Sequence, residues 1–188
     1  AETLGAYDKL LRAGKIRAVG ASNLDARQLG DALEAAAHGQ LPAYQVLQPG
    51  YNLYDRGGFE GALQDLCIRQ DIGVVTYYSL ASGFLSGKYR SREDLGQSKR
   101  GPGIAKYLDE RGMRILDTLF AVAGRHGATP AETALAWLLV RPGVTAPIAS
   151  ATSRDQVQSF ARALALTLTV DDVAVLDEAS AVAGNPEE

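Results

Sequence analysis

Apolar positions recur along the chain in two rhythms that alternate. Leu4, Tyr7 and Leu11 stand three and four residues apart, the spacing of one helical face, and Gly14 follows as a natural C-cap. Residues 16–20 then read as a short buried strand. Asp25 with Gln28 three residues on is a capping-box pattern, and Leu29, Leu33 and Ala36 continue a helical face behind it. Residues 44–48 read as a second strand. Phe59, Ala62, Leu63 and Leu66 mark the next helix, and residues 72–77, rich in β-formers, a third strand. Residues 81–106 break the rhythm. They are polar and glycine-rich, and so long a connection is often functional. A helix follows with Leu108, Ile115, Leu119 and Val122 on one side. Thr129-Pro130-Ala131-Glu132 is a capping box with Pro at the first helical position, opening a helix through Leu135 and Leu138. Residues 144–148 read as a fourth strand. Ser153 and Gln156 repeat the capping-box pattern ahead of Val157, Phe160 and Leu164. Thr169 opens a last helix through Val173 and Leu176, and residues 184–188 read as a frayed tail.

Strands alternating with helices predict an α/β fold with a parallel sheet. The first three strands recur about every 30 residues, the length of one βα unit. The 188 residues show no linker and no low-complexity tract, so the chain reads as a single domain over residues 1–188.

Composition narrows the function classes. Hydrophobic residues make up 46% of the chain and charged residues 22%, enough apolar side chain for a packed core. The net charge of -3 lacks the basic excess that a nucleic-acid partner requires. No apolar run approaches the roughly 18–20 residues of a membrane span. The one cysteine, Cys67, cannot form an internal disulfide and fits a reducing compartment. The opening residues, which start at Ala1, do not read as a secretory signal, and the expectation is a cytoplasmic protein. Cys67 and Trp137 both read as core packing.

The chemistry gathers after the strands. Ser22 and Asn23 follow the first, Gln48 ends the second, Tyr77 and Tyr78 end the third, and Ser150, Thr152 and Ser153 follow the fourth. In α/β folds ligands collect at that end of the sheet. Ser150-Ala151-Thr152-Ser153 leads into a helix whose free N–H groups and hydroxyls suit a phosphate, with Arg154 adding positive charge. Gly83-Phe84-Leu85-Ser86-Gly87-Lys88 offers two glycines and a lysine, but not at Walker spacing, and no G-x-G-x-x-G fingerprint occurs. Tyr77 suits stacking on a flat ring. Asn23 and Gln48 suit a carboxamide, with paired donor and acceptor. A nicotinamide dinucleotide satisfies all of these groups. Singly, each has a plainer reading: Ser22-Asn23 as a helix-capping turn, Gln48 as a buried amide, Tyr77 as core, and Lys88 and Arg100 as solvated charges.

Four segments together resemble the aldo-keto reductases. Residues 14–23, Gly-Lys-Ile-Arg-Ala-Val-Gly-Ala-Ser-Asn, resemble that family's G-K-[IV]-R-x-[IV]-G-x-S-N segment. Leu47-Gln48-Pro49-Gly50-Tyr51-Asn52-Leu53 resembles its L-Q-P-x-Y-N-L. Residues 78–89 resemble its loop after strand seven, and Ile148-Ala149-Ser150-Ala151-Thr152-Ser153 with Gln156 its adenosine-phosphate segment. The resemblance runs from about residue 4 to residue 181, with the motifs in the family's order and spacing.

The resemblance implies a TIM-type (β/α) barrel of which this chain holds only the second half, strands five to eight. It implies carbonyl reduction with NADPH, without a metal. Ser22, Asn23 and Gln48 would bind the nicotinamide amide, and Tyr77 would stack on its ring. Tyr78, Ser79 and Leu80, with Gly83, Leu85, Gly87 and Lys88, would line the pyrophosphate. Ser150, Thr152, Arg154 and Gln156 would hold the 2′-phosphate and its ribose, with Arg100 a further candidate on the long loop. The family's catalytic Asp, Tyr, Lys and His lie on strands one to four, so no catalytic residue is assigned here. Neither His38 nor His126 falls at the histidine's position. Where the family often has Asn near an adenine, this chain has Phe160, which either stacks on the ring or fills the core. Arg154 and the hydroxyl cluster favour NADP over NAD.

Two functions remain open at this point. One is an oxidoreductase acting on a small carbonyl substrate. The other is a catalytically inactive half-barrel that binds nucleotide or serves assembly. A different phosphate-binding barrel, such as an isomerase, fits less well, because a sugar phosphate needs no carboxamide grip. Four strands cannot close an eight-stranded barrel, and two unpaired strand edges call for self-association or a complementing N-terminal half.

Overall fold

Parallel strands carry the site, and their register explains where its residues stand. The computed structural model describes residues 1–97 and 101–181. Strands β1 (Gly20–Ser22), β2 (Val46–Gln48), β3 (Gly73–Thr76) and β4 (Val144–Pro147) form one sheet in chain order, every pair parallel. Around them run α1 (Glu2–Arg12), α2 (Ala26–Gly39), α3 (Ala62–Arg69), a one-turn α4 (Gly101–Ile104), α5 (Glu110–His126), α6 (Pro130–Leu139), α7 (Arg154–Ala165) and α8 (Val170–Ser180). The α/β class and the parallel sheet are as the sequence predicts.

The first strand stands later than expected. Residues 16–20 supply the apolar run, yet the ladder begins at Gly20 and runs through Ser22, paired with Val46 through Gln48. Only the Val19 carbonyl joins in earlier, accepting from the Gln45 N–H at 2.9 Å. Apolar content marked where the chain enters the core, whereas backbone pairing continues into the polar residues at the carboxyl end. The second, third and fourth strands sit inside their predicted spans, shortened by one or two residues at their ends.

The sheet is buried on one face. Leu47 and Val74 are fully buried and belong to the core, while Gly20 and Ser22 are exposed and Val46, Gln48 and Val75 half-buried. The core lies between the covered face and the helices, around Trp137, Tyr51, Phe59 and Phe84. Trp137 is core as expected, and its indole N–H donates to the Asp177 carboxylate at 3.0 Å. Arg56 and Arg141 lie over its ring at 5.4 and 4.8 Å and both pair with Asp177, which ties α6 to α8. Cys67 is a buried free thiol, also as expected.

Caps set the helix ends. Asp25 with Gln28, and Thr129 with Glu132, form the reciprocal boxes that their spacing predicts. Ser153 caps α7, but Gln156 departs from the predicted box: its Oε1 accepts from the Thr152 N–H at 2.7 Å and not from Ser153. The shift ties down Thr152. The long connection is not structureless. It holds 3₁₀ turns at Ala81–Ser86, Arg92–Gln97 and Ala105–Tyr107 besides α4. Phe84, Leu85, Ile104 and Tyr107 anchor it in the core, a pattern hidden among its polar residues and glycines. Arg100 and the 184–188 tail lie outside the described residues.

Candidate functional site

The carboxyl ends of β2, β3 and β4 open into one cleft of about 960 Å³. One wall is residues 77–88 and the other the turn from β4 into α7. Gln48 lies at the base and Ala131, in the first turn of α6, also lines it. Of the residues singled out by sequence, Gln48, Tyr77, Tyr78, Ser79, Leu80, Gly83, Lys88, Ser150, Thr152 and Gln156 line this space. The fold therefore gathers residues more than 100 positions apart.

The remaining candidates stand otherwise. Ser22 and Asn23 lie beside the cleft rather than in its lining. Ser22 Oγ–H donates to the Gln48 carbonyl at 2.9 Å, and Asn23 Oδ1 accepts from the Tyr77 hydroxyl at 2.8 Å. Leu85 is fully buried in the core. Gly87, at φ 81°, packs against Phe120 rather than facing the cleft. Arg154 is the exposed first residue of α7 and does not line the cleft.

Hydrogen-bond accounting gives the site its polarity. Asn23 Oδ1 is already engaged by Tyr77, and the amide carbonyl of Gln48 faces Ser22 Oγ at 3.5 Å. The acceptor ends of both amides are thus turned toward the protein, and their NH₂ groups remain for a ligand. The pair offers two donors, where the residue types alone suggested a matched donor and acceptor. Tyr77 is held in place from several sides. Its ring runs along Gly50, where an added Cβ would lie 3.2 Å from the ring carbon bearing the hydroxyl, and Tyr78 packs against it at 5.0 Å between centroids.

The upper wall is built from left-handed backbone. Tyr78, Ala81 and Ser82 have φ of 56, 48 and 58°, and Gly83 102°. These turns close on themselves, with the Ala81 N–H donating to the Tyr78 carbonyl at 2.7 Å and the Gly83 N–H to the Leu80 carbonyl at 2.8 Å. Lys88 folds back over Gly83, and it is the only charged residue in the described lining. Opposite, the N-terminus of α7 adds its unpaired N–H groups beyond Ser153. Hydroxyls, amide donors, one cation and no carboxylate among the described lining residues suit an anionic ligand with a flat ring.

Sequence reasoning missed Ser82, Ala131 and Ser159 in the lining, placed Ser86 there only as part of the Gly83–Lys88 loop, and left Phe160 open. Ser159 and Phe160 follow Gln156 by three and four positions, so helical spacing places them on its face. Phe160 is half-buried and lines the cleft, in keeping with the stacking alternative. Ser159 also hydrogen-bonds Glu132, whose carboxyl is held below its usual range: burial would raise it, but the Thr129 backbone and the Ser159 and Arg162 side chains outweigh that. Neither histidine reaches the site. His38 is exposed in the last turn of α2, and His126 contacts Asp172 through Nε2 at 2.7 Å.

Comparison with known proteins places the chain among relatives. The chain is 30% identical over 178 residues to the protein named Protein tas of Escherichia coli, covering 94% of the chain and 51% of that protein. It is 28% identical over 184 residues to an L-glyceraldehyde 3-phosphate reductase of E. coli O157:H7, with 94% and 53% covered. It is 29% identical over 181 residues to an NADH-specific methylglyoxal reductase of E. coli, with 95% and 53% covered. The chain thus spans about half the length of the curated relatives it matches. The family model described as the aldo/keto reductase family matches residues 1–181, and the chain belongs to that family.

Proposed function

We propose that this chain forms the dinucleotide-binding part of an NADPH-dependent oxidoreductase that reduces aldehydes and ketones to alcohols. The carrying observation is the cleft at the carboxyl ends of β2–β4, where amide donors, the Tyr77 ring, a left-handed backbone wall and Lys88 converge without a carboxylate. In this reading the four strands are strands five to eight of a barrel. The open face and free edges of the sheet support it, because a buried parallel sheet is normally covered on both faces.

The residues fit the dinucleotide as follows. The Asn23 and Gln48 NH₂ groups hold the nicotinamide carboxamide oxygen, and Tyr77 stacks on the ring, fixing which face meets the substrate. The 78–83 backbone and Lys88 hold the pyrophosphate. Ser150, Thr152 and Gln156 hold the adenosine ribose and its phosphate, and Arg154 takes part only by swinging in from α7. When bound, the cofactor supplies the hydride for the carbonyl carbon. The proton for the oxygen comes from the half of the barrel that holds the family's tyrosine. The relative named as NADH-specific makes the choice of NADP a matter for direct comparison of the two cofactors.

A second reading, a nucleotide-binding half-barrel without catalysis, draws on one observation: both histidines are occupied or exposed away from the cleft. Carbonyl-dependent NADPH oxidation separates the two. The chain combined with the first half of a related barrel is expected to turn over small aldehydes, and the chain alone is not. A reconstituted barrel that binds NADPH yet oxidises none of it favours the second reading.

A further inference from the structure

Asn52 is a buried polar residue that the cofactor reading leaves unused. It is fully buried just beyond β2, and all of its amide hydrogen-bonding capacity is spent. Its Oδ1 accepts from the backbone N–H of Tyr54 at 2.8 Å and of Asp55 at 2.9 Å. Its Nδ2 donates to the Asp55 carboxylate at 3.1 Å and to the Tyr78 carbonyl at 3.1 Å. The same Tyr78 carbonyl accepts from the Ala81 N–H at 2.7 Å, closing the first turn of the cleft wall. A buried amide so completely paired is a rigid point in the fold.

What it holds is costly. Tyr78 sits at φ 56°, a region that a bulky aromatic enters only when its surroundings impose it. Its side chain is 60% exposed, so core packing does not impose it. Backbone bonds do, and among the described residues the Asn52 bond is the one supplied by a side chain. Behind Asn52 the connection runs on. The Asp55 carboxylate also accepts from the Tyr107 hydroxyl at 2.9 Å, and Tyr107 is buried at the end of the long connection. Burial and Asp55 together push the Tyr107 hydroxyl well above the ordinary tyrosine range, so it stays a donor.

We propose that Asn52 is a positioning residue for the dinucleotide. It fixes the left-handed backbone at Tyr78 and joins the cleft wall, through Asp55 and Tyr107, to the long connection after β3. The proposal rests on the reading of the cleft as a cofactor site, but its structural half stands apart from it. Neither Asn52 nor Asp55 nor Tyr107 lines the cleft, so none acts by touching the ligand.

Asn52→Asp tests it, since the change keeps the shape and replaces the donor with an oxygen facing the Tyr78 carbonyl and the Asp55 carboxylate. Hydrogen exchange of the 77–83 amides is expected to quicken in this variant while α5 and α8 stay protected. NADPH affinity is expected to fall about tenfold or more, a loss of about 1.4 kcal/mol. Glycine at 78 adopts positive φ freely, so the affinity penalty of Asn52→Asp should shrink in a Tyr78→Gly background, which a purely structural role would not produce. Unchanged exchange at 77–83, or an equal penalty in both backgrounds, overturns the proposal. If the parent chain binds no dinucleotide, the cofactor reading falls, and the exchange result still decides whether Asn52 positions the wall. Should Asn52→Asp fail to fold, Tyr107→Phe removes one bond of the same chain. Faster exchange at 78–83 then supports the connection, and unaltered exchange refutes it.

Discussion

Gly50 lies under the Tyr77 ring, with less room than a side chain ordinarily takes. A Cβ there would sit 3.2–3.3 Å from the ring carbon and hydroxyl, so Gly50→Ala must tilt the ring. Nicotinamide binding is expected to weaken about tenfold with little change in melting temperature, as read by cofactor titration beside thermal denaturation. Asp172 offers a test of a different kind. Burial alone would raise its carboxyl, but Arg125, His126 and both the backbone and the hydroxyl of Thr169 outweigh it and hold the group well below the usual carboxylate range. A depressed value means that ionised Asp172 stabilises the fold above about pH 4, the unfolded value, and that this contribution drains away as pH falls from there. Asp172→Asn should therefore be less stable than the parent at pH 7, and the gap should narrow in urea titrations carried progressively below pH 4. A gap that stays constant with pH would show that the pairing with α5 contributes nothing.

Among the elements, two glycines separate crowding from helix propensity. Gly112, in the first turn of α5, leaves no room for a Cβ, which would collide with the Tyr107 carbonyl oxygen, so Gly112→Ala should destabilise the chain by roughly 3 kcal/mol. Gly30 sits inside α2 with open space around it, and Gly30→Ala should stabilise by about 0.5–1 kcal/mol. Chemical denaturation measures both, and the same sign for the two would refute the packing of α5 on the 105–107 turn. The elements also show what the sequence made legible. Caps at Asp25, Thr129 and Thr169 and the periodic apolar faces marked the helices, because those signals are local. The first strand was displaced because strand ends are decided by pairing with β2, which no local pattern carries. The spacing of Gln156 from Ser153 predicts a capping box, but its bond to Thr152 depends on how the β4–α7 turn is bent. The candidate residues themselves were legible because they cluster after strands. Their polarity was not, since the bonds from Tyr77 to Asn23 and from Ser22 to Gln48 cross between strands.

At the scale of the whole molecule, the sheet has one covered face and, among the described residues, two free edges, and the proposed barrel closes only with further strands. The exposed ends of β1 and β4 would template further pairing, so the isolated chain is expected to associate with itself or with a complementing half. Light scattering of the purified chain checks this, and a monodisperse, well-folded monomer would contradict it. Among the described residues no helix is long and apolar enough to cross a membrane. The described residues nevertheless supply two walls and a base to the cleft. Its affinity for dinucleotide should therefore survive without the rest of a barrel, even though turnover should not. The most direct test is a titration of the 188-residue chain with NADPH, followed by nicotinamide fluorescence, with NADH as the comparison. Saturable binding that is tighter for NADPH, and weakened by Tyr77→Ala, is the expected result. No saturable binding of either cofactor would contradict the account.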